Sequence, residues 1–111
     1  MSTPPQHSLL AYRVALRLLR AVLAANIADA EIRTQATRAA KRCALNCAEG
    51  AGRVSRADKA RVFGIARGEC VEACASVEIA RDAGDATPAA YAEVESIACE
   101  LYAMLSGLVR R

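Results

Sequence analysis

The densest grouping of chemically capable residues is Asn46-Cys47-Ala48-Glu49-Gly50-Ala51-Gly52-Arg53-Val54-Ser55. It combines a helix end, two glycines, a carboxylate, a guanidinium and a new helix start. As chemistry this is a candidate anion site: backbone N–H groups opening the next helix, with Arg53, Arg56 and Lys59, would hold a phosphate. The pattern is no P-loop, because it follows a helical segment instead of a strand and lacks Gly-Lys-Ser/Thr. A plainer reading is favoured, in which Glu49 pairs with Arg53 or another nearby base and Asn46 satisfies backbone groups of the loop.

The cysteines form a second grouping. Cys43-x3-Cys47 and Cys70-x3-Cys74 are two pairs at one-turn spacing, on segments expected to run antiparallel. Four thiolates across a bundle are ligands for Zn²⁺ or Cu(I). All four also fall on apolar stripes, where Cys acts as a small hydrophobe, so packing is the favoured role and no cofactor is expected. Cys99 stands alone and carries no inference.

Catalysis is hard to assemble. The only His is His7, and no Glu-x-x-His pair exists to build a carboxylate-bridged metal site. Glu69, Glu72 and Glu78 lack a partner base. Glu72, between Cys70 and Ala73, is expected on the inner side of its helix as a partly buried carboxylate paired with Arg38, Arg42 or Arg53. The chain reads as a non-enzyme.

The elements that must position these residues are helices. Of 111 residues 26 are Ala, with six Gly and three Pro, which argues for an all-α chain and against a sandwich or doubly wound sheet. One Phe, three Tyr and no Trp leave little bulk for a core, which favours self-association. No signal-like N-terminus or bilayer-length apolar run is present, and five Cys in such a chain suit a reducing compartment, so a cytoplasmic protein off the membrane is expected.

Residues 1–7, with Pro4 and Pro5, read as a flexible tail and residues 8–111 as one four-helix bundle. Ser8 is a candidate N-cap. Leu9, Tyr12, Leu16, Leu19 and Leu23 recur at helical spacing in a first helix reaching about Ala25. Asn26 to Asp29 form a connection. A second helix follows, its stripe made of Ile32, Ala36, Ala39, Ala40, Cys43 and Cys47, ended by Gly50 and Gly52 acting as left-handed caps. Ser55 with Asp58 starts a third helix over about Arg56–Ala83, with Phe63, Ile65, Ala66, Cys70, Ala73, Cys74, Val77 and Ala80 as its seam. Gly64 and Gly68 inside it are expected to mark a close helix crossing. Gly84 closes it and Thr87-Pro88 opens a fourth helix, Thr as N-cap and Pro at the first position. Short connections predict an antiparallel up-down-up-down four-helix bundle.

Charge is asymmetric. Residues 1–67 hold twelve Lys/Arg and four Asp/Glu, while residues 68–111 hold three and eight, within a net charge of +3. Such a dipolar layout either steers a polyanion to one face or lets the basic face of one subunit meet the acidic face of the next.

Taken in order, Ile32-Arg33, Arg38-Ala39-Ala40, Asn46-Cys47-Ala48-Glu49-Gly50-Ala51-Gly52-Arg53, Phe63, Ala66-x-Gly68, Glu72, Ala80 and Gly84 resemble the small four-helix proteins encoded in intervening sequences of bacterial 23S ribosomal RNA genes. The central stretch is similar to that family's Asn-Ile-Ala-Glu-Gly-x-Gly-Arg signature. The motif likeness spans about residues 30–84, and helix order extends it over nearly the whole chain. Cys43 and Cys47 stand where the family usually has Ile, and Cys70 where it has Leu or Ala, in keeping with core roles for these thiols. Ala60 stands in place of an aromatic and Glu69 in place of a Ser. The resemblance implies a bundle that assembles into a ring, often a pentamer, without enzymatic activity. Related bundles serve diversity-generating retroelements, where a basic ring is thought to engage nucleic acid and a reverse transcriptase.

Two functions stand side by side. In the first, a homo-oligomer contacts RNA or another nucleic acid through phosphate contacts from Arg53, Arg56, Lys59 and Arg61, without sequence readout because stacking aromatics are scarce. In the second, a scaffold uses its opposite charges between subunits. Metal binding by Cys43, Cys47, Cys70 and Cys74 is a weaker third.

Overall fold

Four helices make up nearly all of the chain described by the computed structural model, residues 9–110: α1 Leu10–Ala24, α2 Ala30–Gly52, α3 Arg56–Asp82 and α4 Pro88–Arg110. The expected tail and the Ser8 cap lie outside the described residues. Each helix packs on its neighbours in sequence, α1 also packs on α4, and α1 and α3 meet only lightly across the diagonal. This is the four-helix bundle, all-α, with up-down-up-down order. Its 44 Å long axis matches a 27-residue helix at about 1.5 Å per residue.

The connections explain the register. Asp29 Oδ2 accepts the Ile32 amide at 2.9 Å, Ser55 Oγ that of Asp58 at 3.1 Å, and Thr87 Oγ1 that of Ala90 at 3.1 Å, so α2, α3 and α4 each begin on a side-chain cap. Asn26 ends α1 at φ 49°, a left-handed position that Asn tolerates, and Gly84 ends α3 at φ 82°. The Ala28 amide donates to the Asp85 carbonyl at 2.9 Å, tying the α1–α2 and α3–α4 connections together at one end of the bundle.

Three local expectations are corrected. Gly50 and Gly52 are helical: α2 runs through both and stops at Arg53, an extended residue at φ −72°, ψ 155°. What requires Gly50 is space, because a Cβ there would sit 2.6 Å from Cε1 of Phe63, the only Phe in the chain. Gly64 and Gly68 mark no crossing within the bundle, since a Cβ at either meets nothing within 4 Å. The seam of α1 is Ala11, Val14, Ala15, Leu18 and Val22, rotated from the expected leucine stripe, and Leu23 is 53% exposed. Two alanines face inward and bring α1 close to its neighbours, which leaves the larger side chains Tyr12, Leu16 and Leu19 at the flank.

The remaining helices follow their patterns more closely. Ala36, Ala39, Ala40, Cys43 and Cys47 are buried on α2, and Phe63, Ala66, Cys70, Ala73, Val77 and Ala80 on α3, while Ile65 and Cys74 turn away from full burial. Tyr91, Val94, Ile97, Ala98, Leu101 and Leu105 carry the α4 face.

Candidate nucleic-acid interface

The α2–α3 corner brings most of the sequence-derived site together and engages it internally. Asp58 lies one turn into α3, where a carboxylate suits the positive end of the helix dipole. It sits 3.5 Å from Arg53 and 3.0 Å from Arg61. Arg53 reaches back to Glu49 at 3.8 Å, the pairing expected from the sequence. Lys59 points the other way along the corner. Its Nζ donates to the Ala51 carbonyl at 2.9 Å and to the Gly50 carbonyl at 3.4 Å, closing the C-terminal end of α2 where unpaired carbonyls accumulate. Of the four cations named for nucleic acid, only Arg56 makes no ion pair or hydrogen bond. The corner therefore holds a carboxylate among its bases.

Other members of the motif take different places. Asn46 Nδ2 donates to the Arg42 carbonyl at 2.9 Å, within its own helix, and does not serve the loop. Val54, at the tip between α2 and α3, is 98% exposed. Glu72 is exposed and forms no ion pair, contrary to the expectation of an inner carboxylate: Cys70, Ala73 and Val77 define the buried side of α3, and Glu72 falls on its far side. Gly68 is exposed as well. Glu69, beside it, is half-buried. Burial and the neighbouring Glu72 push its carboxyl above the usual carboxylate range, while Arg42 pulls the other way.

The four thiols do not converge. Cys43, Cys47 and Cys70 are buried together, with Cys43 beside both others. Cys70 Sγ also reaches the Ala98 carbonyl at 3.5 Å. Cys74 lies half-buried toward Tyr91 and Cys99. The mutual contact and burial push Cys43 and Cys70 well above an ordinary thiol, and burial raises Cys74, so these groups are thiols and not thiolates at neutral pH. Among the described residues no group of three or more His, Cys, Asp or Glu is arranged to hold a metal ion.

Sequence reasoning missed where free positive charge is left. Arg17 pairs with Glu100, Arg67 donates to Ser106 and lies over the Tyr102 ring, and Arg81 pairs with Asp82 and stacks on Tyr91. On the outer side of α2, Arg38 and Lys41 have no such partner among the described residues, and with Arg33 and Arg42 they line a cleft of 530 Å³ against the end of α1. The signal for it was the run of Lys/Arg in residues 1–67, twelve against four Asp/Glu. What that run could not show was which members meet acids.

Fold and charge together define a small all-helical bundle with a basic flank. A family model for the 23S rRNA-intervening sequence protein matches residues 8–107, and the chain belongs to that family. The comparison with curated proteins returns no match. No described helix is long and apolar enough to cross a membrane.

Proposed function

We propose that this chain is a non-catalytic homo-oligomer that contacts RNA, or another nucleic acid, through positive charge on α2 and the start of α3. One observation carries it: Arg38, Lys41 and Arg56 are exposed without a counter-charge, while the acids gather in residues 68–111. An electrostatic surface of this kind grips phosphates without reading bases. The test is fluorescence anisotropy with a structured RNA at two salt concentrations, the particle mass followed by light scattering. Binding that weakens with salt at constant mass supports the proposal, and no binding by the intact particle at low salt overturns it.

Self-association is supported by a different surface. Gly64, Gly68 and Val71 lie on the outward side of α3, and Val71, Cys74, Cys99 and Tyr102 line an apolar groove of 310 Å³ between α3 and α4. The pentameric ring implied by the family resemblance would cover such a face. Gly68→Leu fills open space in a single copy, so an unchanged helical spectrum with loss of the larger particle is the expected outcome. The same groove supports a second reading, a protein scaffold without nucleic acid, which the RNA measurement separates from the first.

A further inference from the structure

The cleft between the end of α1 and the first half of α2 has the composition of a ligand site, and no role in the fold accounts for its charges. Its floor is Val22, Leu23 and Ile27, and its wall is Thr34, Thr37, Arg38, Lys41 and Arg42, with Arg33 at the connection. Thr34, Thr37 or Arg38, and Lys41 follow at three- and four-residue steps, so one side of α2 presents hydroxyls and cations in a ladder. The volume of 530 Å³ lies in the range of small-molecule sites, about 300–1,000 Å³.

The charges in this ladder work against the helix that carries them. Arg38 with Lys41 and Arg42, at three and four residues, are like-charge neighbours on one helix side, an arrangement that destabilises it. Glu69 couples to Arg42, and burial and Glu72 push its carboxyl above the usual carboxylate range. Arg33 is oriented differently: its Nη1 donates to the Ile27 carbonyl at 2.9 Å and the Ala28 carbonyl at 3.4 Å, which fixes the guanidinium at the connection. Among the described residues the Thr34 and Thr37 hydroxyls have no hydrogen-bond partner.

We infer that this cleft is a phosphate seat, in which Arg38 and Lys41 neutralise a phosphoanion, Thr34 and Thr37 donate to its oxygens, and Val22, Leu23 and Ile27 receive the apolar part of what bears it. The ligand chemistry is a chain of phosphates, supplied either by an RNA backbone or by a free polyphosphate. With RNA as the source this deepens the nucleic-acid proposal and rests on it. With a free polyphosphate as the source it stands without it. The site is distinct from the α2–α3 corner, whose Arg53, Lys59 and Arg61 are already engaged.

The test uses the whole chain at its native particle mass, with two probes, a structured RNA and inorganic tripolyphosphate, on wild type, Arg38→Gln/Lys41→Gln and Arg56→Gln. Both substituted cleft residues are exposed, so the double variant is expected to fold. Relief of the repulsion is expected to raise its ligand-free Tm by about 1–2 °C. The expected result for RNA is an affinity loss above tenfold in the cleft variant and below threefold in Arg56→Gln. For tripolyphosphate the expected result is a rise in Tm with ligand in wild type that disappears in the cleft variant. RNA affinity that depends on the cleft supports the seat with RNA as its source. A tripolyphosphate response that depends on the cleft, with RNA unbound or unaffected, supports the seat and assigns it to free polyphosphate, and absence of RNA binding by wild type overturns the nucleic-acid proposal alone. If neither probe responds to the cleft substitutions, the phosphate seat is overturned.

Discussion

At the far end of α2 the guanidiniums of Arg53 and Arg61 face Asp58, and the Lys59 ammonium closes the helix. In the first half of the same helix Arg38 and Lys41 face solvent with no acid beside them. Both regions are basic in sequence, yet the arginines of the corner that flank Asp58 are paired and Arg38 and Lys41 are not. The difference lies in two carboxylates, Asp58 and Glu49, and a helix end. Asp58 is placed by the Ser55 cap, whose Oγ accepts its amide, so a carboxylate in the first turn of α3 also faces two arginines. Exposed pairs of this kind contribute at most about 1 kcal/mol each to stability, but they remove the field that a phosphate would feel. The arrangement of acids therefore decides which basic region can attract a polyanion, and counting cations does not.

Breaking the corner sterically has the largest expected effect. Gly50→Ala drives a Cβ into the Phe63 ring and is expected to lower stability by about 1–3 kcal/mol. Gly52→Ala, also helical but with nothing near its Cβ, is expected to gain up to about 1 kcal/mol. Thermal unfolding of the two variants reads this contrast, and equal behaviour would show that the ring moves freely.

Both regions stand on the buried thiols of α2 and α3, and pH probes that support. Folding raises the Cys43 and Cys70 pKa above the value of 9.0, so the folded chain keeps protons that the unfolded chain releases. This stability is fully present below about pH 9 and falls as pH rises, by at most about 1.4 kcal/mol per pH unit per thiol. A Tm series from pH 7 to pH 10.5, flattened in Cys43→Val/Cys70→Val, is the expected outcome.

Two lysines on the two regions should respond differently to the same change. Lys59→Met removes the donor at the end of α2 and is expected to cost about 1 kcal/mol, whereas Lys41→Met leaves stability equal or slightly higher. Urea midpoints check the pair. For the same reason Lys59 is a poor residue for testing nucleic-acid contact, since its loss damages the fold as well. The smallest effect sharpens the comparison from the other side. Asp58→Asn frees Arg61 and leaves Arg53 to Glu49 alone, and RNA affinity is expected to rise a few-fold for a stability loss below about 1 kcal/mol. Anisotropy beside thermal unfolding measures both.

Much of the fold was legible because its punctuation is local. Ser55, Thr87-Pro88 and Gly84 act where they stand in sequence, and the α4 pattern carries enough bulk to fix its side. The glycines of α2 were misread because Gly serves equally a left-handed cap and a close approach, and only the position of Phe63 distinguishes the two. The seam of α1 was misplaced because that helix is apolar over most of its circumference, so its leucines could not show which side the alanines would face. Glu72 was misplaced by adjacency to Cys70 and Ala73, although successive helical residues point in different directions. The corner was legible as a group of residues and the cleft was not, because the cleft joins the end of α1 to a side of α2 whose significance lies in lacking acids.

The most direct measurement is the slope of log affinity against log salt for a structured RNA, on wild type, Arg38→Gln/Lys41→Gln and Arg53→Gln/Arg61→Gln, with particle mass held constant. The cleft variant is expected to lose between one and two units of slope and the corner variant less than one. Equal slopes in all three, or a larger loss in the corner variant, would contradict the assignment of the nucleic-acid contact to the uncompensated side of α2.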